Sequence, residues 1–223
     1  METSNLVASV FKVGSAVRRR RIFHPVGVHA TGSIERVAPA SEGLPIPSSG
    51  VVARLSKAVG TPGAWPDAIG LAVRVTTHDA AAWDILLVSA GSGVLTRAIG
   101  LRPVTSWTSH ALTTLMPLRY RGENWWLRAR ISTAIGGSGL AVDNLREHIA
   151  GQPIDVVVDQ ACGASPFSPL ARLTLTEAVD PRPGDLSFDP TLNTAAGVEL
   201  YPRWLTRLRS SAYDGSREGR PPN

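Results

Sequence analysis

Between residues 51 and 131 apolar and polar positions alternate, or gather into short apolar blocks separated by turn residues. Val51–Leu55, Ile69–Thr76, Trp83–Ser89, Met116–Arg121 and Trp125–Ile131 are predicted strands on this pattern. Arg121-Gly122-Glu123-Asn124 lies between the last two runs and predicts a hairpin connection. Ile154–Asp159 and Leu170–Thr176 add two further strands. The spacing turns helical over residues 4–17, where Leu6, Val7, Val10, Phe11, Val13 and Val17 give residues 1–20 the character of an amphipathic N-terminal helix. Such a helix packs on the body of the domain, or lies on a membrane surface, since basic residues crowd one of its ends. Asp143 is placed to cap a short helix running through Ile149 and ended by Gly151, and a final helix is expected over residues 203–212. Residues 38–49 and 179–196 read as loops, and His24 and His29 fall in a stretch that reads as irregular. Closely spaced strands, few helices and no βαβ alternation predict an α+β, mainly antiparallel barrel in a single domain, 1–223.

Composition narrows the function classes. A chain of 223 residues buries roughly two thirds or more of its extended surface on folding, so its core needs no staples. The single cysteine, Cys162, excludes an intramolecular disulfide framework and a Cys-based zinc site. No run approaches the roughly 20 apolar residues of a membrane span, and the N-terminus lacks the order of a signal peptide. The expectation is a cytoplasmic protein with no membrane partner. The net charge is +5, and of the 23 basic residues only Lys12 and Lys57 are lysines. That arginine bias reflects either anion recognition or a GC-rich coding bias. The one dense basic run, Arg18-Arg19-Arg20-Arg21, holds no aromatic residue, so no nucleic-acid partner is expected. No dinucleotide, P-loop, zinc-protease or nucleophile-elbow motif is present; Gly136-Gly137-Ser138-Gly139 is a plain loop or a phosphate cradle without its lysine.

Three segments, in order and spacing, resemble the haem catalases. Arg21-Ile-Phe-His24-Pro-Val-Gly27-Val-His-Ala30-Thr-Gly32 is similar to the segment R-x-x-H-x-x-G-x-x-A-x-G that carries the distal histidine. Val52-Ala-Arg54-Leu-Ser56, Gly70-Leu-Ala72-Val73-Arg74 and Trp83-Asp84 resemble V-x-R-F-S, G-F-A-V-K and W-D. Phe188-Asp189-Pro190, Gly197-Val198-Glu199, Pro202 and Arg209-Ser-Ser-Ala-Tyr213 resemble F-D-P, G-I-E, a proline and the proximal R-x-x-x-Y. Met116-Pro117-Leu118-Arg119 and Ser165-Pro166-Phe167 are weaker matches. The resemblance runs from about residue 21 to the C-terminus and implies a minimal catalase-like β-barrel with a few peripheral helices and a C-terminal proximal helix.

The resemblance also implies a cofactor, haem b, and a set of roles. Tyr213 would be the iron ligand, a phenolate, which at neutral pH needs positive charge beside it; Arg209, one helical turn earlier, would supply that charge. His24 would be the distal acid–base group and Ser56 its hydroxyl partner. Arg21, Arg54 and Arg220 would pair the propionates, and Phe23 with Ile22 would line the pocket. Read as residues alone, Tyr213 equally serves to pack a last helix, His24 to fill a structural position and Arg220 to lie on the surface; His29 has no family role. One departure stands out: where the family has a distal asparagine, four residues past the aspartate, this chain has Val88, followed by Ser89. The loss of that amide points away from rapid hydrogen peroxide disproportionation. It points towards an organic hydroperoxide, or a peroxidase cycle with a small organic substrate or reductant as second partner. The alternatives are a non-catalytic haem carrier or sensor and a haem-free degenerate barrel binding another small ligand; a homo-oligomer is compatible with each.

Overall fold

Alternation in the sequence becomes alternation in space. A computed structural model describes residues 26–90, 101–180 and 187–201, so the helices expected within 1–20 and over 203–212 lie outside the described residues. The strands are β1 (Val26–Arg36), β2 (Ser49–Lys57), β3 (Ile69–Thr76), β4 (Ala82–Ser89), β5 (Leu112–Thr113), β6 (Leu118–Tyr120), β7 (Glu123–Ile131), β8 (Ile154–Cys162), β9 (Ser168–Val179) and β10 (Val198–Leu200). One helix, α1 (Val142–Gly151), precedes β8 among the described residues. Every pairing is antiparallel. β1 to β4 form a meander, β4 joins β5, and β5 and β6 both lie along β7 as one interrupted strand. Pairing of β7 with β8, β8 with β9 and β9 with β1 closes a barrel of eight strands. β10 adds to β6 outside that ring.

The core sits inside the barrel. Val28, Ala53, Leu71, Ile85, Leu127, Val156 and Leu173 are among its buried side chains. An eight-strand barrel is just wide enough for side chains to fill, and the central void is only about 10 Å³. Loops close the two ends. At one, Leu44 and Ile46 are buried, and Leu44 N donates to the buried Gln160 Oε1 at 2.9 Å. The guanidinium of Arg36 organises that loop by donating to the carbonyls of Ala38, Pro39, Glu42, Leu44 and Ile46. At the other end Trp107, Leu140, Leu145 and Ile149 join the core, and Trp107 Nε1 donates to Ala141 O at 3.2 Å.

The β3 bounds coincide with the predicted ones, and β2, β4, β7, β8 and β9 extend theirs. Three expectations are corrected. Residues around His29 are not irregular but belong to the 11-residue strand β1. Its glycines mark close approach: a Cβ on Gly27 would lie 2.6 Å from Leu55 O, and one on Gly32 would strike the Thr174 carbonyl. Asp143 does not cap α1; Ala141 holds the cap position without a side-chain bond, and Asp143 sits in the first turn, where its charge favours the helix dipole. The strand expected over Met116–Arg121 is shortened to β6, since Arg121 (φ 51°) and Gly122 (φ 84°) form the two-residue turn into β7.

Two charged groups are buried beside the Trp107 end. Lys57 Nζ donates to the carbonyls of Gly63 (2.9 Å) and Trp65 (3.3 Å). Asp67 accepts the backbone N–H groups of Val59, Gly60 and Thr61 at 2.8–3.0 Å, and the Thr61 hydroxyl at 3.2 Å. Burial pushes the Asp67 pKa up, but those donors together hold it below the ordinary carboxylate value. A depressed pKa contributes stability that is present above the unfolded value and lost as pH falls through the folded one. Asp67→Asn is therefore expected to cost about 1–3 kcal/mol at pH 7. Thermal midpoints of the two proteins should converge as pH falls below the ordinary carboxylate range; a gap that stays constant with pH would contradict the role of the carboxylate charge.

Candidate functional site

The outer face of β1–β4 gathers the described part of the catalase-like pattern. Register sets the rows. Gly27, Ser56, Gly70 and Val88 are successive Cα partners across the four strands, and His29, Arg54, Ala72 and Leu86 form the next row. Thr31, Val52, Arg74 and Asp84 make the third. All alternate with the inward residues Val28, Ala53, Leu55, Leu71, Val73, Ile85 and Leu87, so they share the outside of the barrel. The first two rows carry glycine, alanine, valine and leucine around one hydroxyl, one imidazole and one guanidinium. The result is a largely apolar wall in which Ser56 is buried and His29 and Arg54 are half-buried.

The segment 187–195 straps across the third row. Phe188 stacks on His29, with ring centroids 6.5 Å apart and 11° between planes, while the Arg74 guanidinium lies 5.5 Å from its centroid on the barrel wall. Arg74 grips Asp84 in two bonds of 2.7 Å, and the Asp84 side chain is 0% exposed. Asp84 Oδ2 also accepts Asp189 N (2.8 Å) and Asn193 Nδ2 (2.7 Å), and Arg74 reaches the Ser187 carbonyl at 2.8 Å. Within the strap, Asp189 Oδ1 accepts Thr191 N and Oγ1, and Asp189 O accepts Leu192 N and Asn193 N. This turn explains the Asp-Pro pair: the aspartate caps it, and Pro190 presets its first φ. Matched pieces of all three catalase-like segments thus touch one another. Farther along, Val198, Glu199 and Leu200 pair with Tyr120, Arg119 and Leu118, which joins the weaker Met116–Arg119 match to the same assembly.

Of the site residues expected from sequence, Arg54 and Ser56 lie on this face, two apart on β2, as their spacing requires. Arg21, Phe23, His24, Arg209, Tyr213 and Arg220 lie outside the described residues. Val88 takes the outer position opposite Gly70, in the Ser56 row. Ser89 does not substitute for the missing amide. It belongs to the inward set, where its Oγ accepts Ile69 N at 3.0 Å and donates to Arg102 O at 2.6 Å.

His29 has no role in the resemblance. The structure seats it directly opposite Arg54. Burial pulls the imidazole below its ordinary pKa, Arg54 and Arg146 act the same way, and Asp180 opposes them. Burial lowers the Arg54 pKa too, though a guanidinium stays charged at neutral pH. The available signal was the odd-numbered position that His29 shares with Gly27 on an alternating strand, but its pairing with Arg54 is non-local.

Arg54 carries a guanidinium of the kind that pairs a porphyrin propionate, whereas the residues expected to ligate the iron and to move the proton lie outside the described residues. Among the described residues no group of three or more His, Cys, Asp or Glu could hold a bare metal ion, and no helix is long and apolar enough to cross a membrane. No protein-family model and no curated protein sequence matches the chain.

Proposed function

We propose that the chain is a haem-dependent peroxidase or hydroperoxide-processing enzyme of the catalase-like superfamily, with haem b bound through a Tyr213 phenolate and worked on by a distal His24. The observation that carries this reading is the convergence of the described catalase-like fragments on one outer face of a closed antiparallel barrel. Arg54 and Ser56 share that face, and Phe188-Asp189 docks on Arg74 and Asp84. The pieces on β1–β4 adjoin because those strands form a meander, so the contact that supports the reading is the long-range one, Phe188-Asp189 against Arg74 and Asp84 more than 100 residues away.

Haem, when bound, supplies reductive cleavage of a peroxide O–O bond. The chain's own residues supply the rest. Arg209 stabilises the Tyr213 phenolate against protonation. Arg54, with Arg21 and Arg220, neutralises the propionates. His24 takes the proton from the peroxide's near oxygen and returns it to the far one, so that the departing oxygen leaves neutral. Ser56 holds the His24 imidazole in one tautomer, and Phe23 keeps water off the reacting side. Val88 and Leu86 leave the face without an amide to orient hydrogen peroxide and favour a peroxide with an organic substituent.

The same substitution favours a second reading, a haem carrier or sensor on the same barrel. Hemin titration of the purified protein tests the shared premise. A Soret band is expected that weakens and shifts in Tyr213→Phe. No band, or one indifferent to that change, would remove both readings. Peroxide-dependent oxidation of a chromogenic reductant then separates enzyme from carrier.

A further inference from the structure

We propose that a slot between β4 and the strap is a binding site for a short alkyl group, and that it takes the organic substituent of the hydroperoxide. The first half stands on the cavity alone; the second rests on the haem reading and gives it a substrate-binding element.

The slot exists because β4 is paired on one side along only part of its length. β5 meets it at Val88 and Ser89, so on that side the flank from Ala82 to Leu87 faces the strap and the link between β5 and β6. A void of about 30 Å³ remains there, against about 10 Å³ at the barrel centre. Trp83, Leu86, Leu115, Met116 and Pro190 supply its apolar wall. Trp83 lies on the inner side of β4 and Leu86 on the outer side, so the slot passes the edge of the strand from core to outer wall. It meets that wall at Leu86, two residues before Val88 on the same side of β4.

Its chemistry suits hydrocarbon better than water. A trapped water asks for roughly two to four polar partners. Here the Asp84 carboxylate is taken by Arg74, Asp189 N and Asn193 Nδ2, and Thr114 Oγ1 accepts Leu127 N at 3.3 Å. Thr194, half-buried, contributes a further hydroxyl to the wall. A cavity so poor in available donors and acceptors stays dry and admits small apolar guests such as xenon. Its size favours a methyl or ethyl group over a ring. The place also fits the reaction: where Val88 gives up the amide that would orient hydrogen peroxide, the slot offers contact to the carbon that stands in for one of its hydrogens.

The test uses the full chain, isotope-labelled at its methionine methyls. Of the two methionines, Met1 and Met116, the second lines the slot, so its NMR signal reports occupancy. Xenon dissolved with the haem-free protein is expected to shift the Met116 signal and to saturate. Thr194→Leu, which enlarges a residue of the slot wall, should abolish the shift; Leu115→Phe is the second variant should the first fold poorly. A Met116 signal that ignores xenon in wild type, or moves equally in wild type and both variants, would overturn the site. With hemin bound, kcat/KM for ethyl hydroperoxide relative to hydrogen peroxide should fall about tenfold in either variant, the scale on which an apolar pocket discriminates a small alkyl group. A ratio equal in wild type and both variants would overturn the assignment to the substituent. A missing Soret band in wild type would defeat the haem reading alone, and the xenon arm would then decide the slot by itself.

Discussion

His24→Ala, loaded with hemin, is expected to keep its Soret band and to consume peroxide about 10²–10⁴-fold more slowly than wild type. Its role is to move a proton between two oxygens of one substrate, and neither Ser56, a hydroxyl, nor Val88, a hydrocarbon, can take over that transfer. The loss should therefore fall on turnover and leave cofactor retention unchanged. Single-turnover reaction with cumene hydroperoxide, followed at the Soret band, is the direct measurement. A rate equal to wild type would discard His24 as the acid–base group. A lower rate with hydrogen peroxide than with cumene hydroperoxide in wild type is the matching expectation from Val88.

Asp84→Ala is expected to destabilise the protein by about 3–5 kcal/mol, the range for removing one partner of a buried ion pair. The carboxylate receives two bonds from Arg74, one from Asp189 N and one from Asn193 Nδ2, and no water reaches it. Its removal leaves Arg74 uncompensated and unfastens residues 187–195. For a chain of this size that corresponds to a midpoint lower by roughly 6–20 °C. Hydrogen exchange should rise first over 187–195 and only later in β8 and β9. A loss below about 1 kcal/mol would show that the strap is held by Phe188 and the turn instead. Combining Asp84→Leu with Arg74→Met should recover part of the stability, because an apolar pair has no charge to compensate. It should not restore the hydrogen bonds to Asp189 N and Asn193.

Much of the barrel was legible in the sequence because alternation is a local property. Ile69–Thr76 shows a clean period of two, and the strand obeys it from end to end. β1 was not legible, since its outward positions are filled by glycine, histidine, threonine and serine, and its glycines carry the ordinary mark of a turn. They are there because a neighbouring backbone passes too close for a side chain, and the neighbour is about 30 residues away for Gly27 and about 140 away for Gly32. β5 and β10, at two and three residues, are too short to show a period at all. The candidate site divides in the same way. Arg54 and Ser56 belong to a motif with spacing of its own, and β2 puts both on its outer side. The place of His29 opposite Arg54 leaves no local trace, because strand pairing alone puts the two side by side. Arg74 and Asp84 were noticed as motif letters, but nothing local reveals that they fasten a segment more than 100 residues downstream.

The strap has a second effect, which concerns other molecules of the same protein. β5 pairs with β4 only at Val88 and Ser89, so the lateral flank of β4 from Ala82 to Leu87 would otherwise present bare amide and carbonyl groups. Asp84 N instead bonds Asn193 O at 3.0 Å. Exposed flanks of this kind invite intermolecular strand addition. Whatever loosens that cover should turn a monodisperse sample into one that clumps on mild warming, well before the ring of eight comes apart.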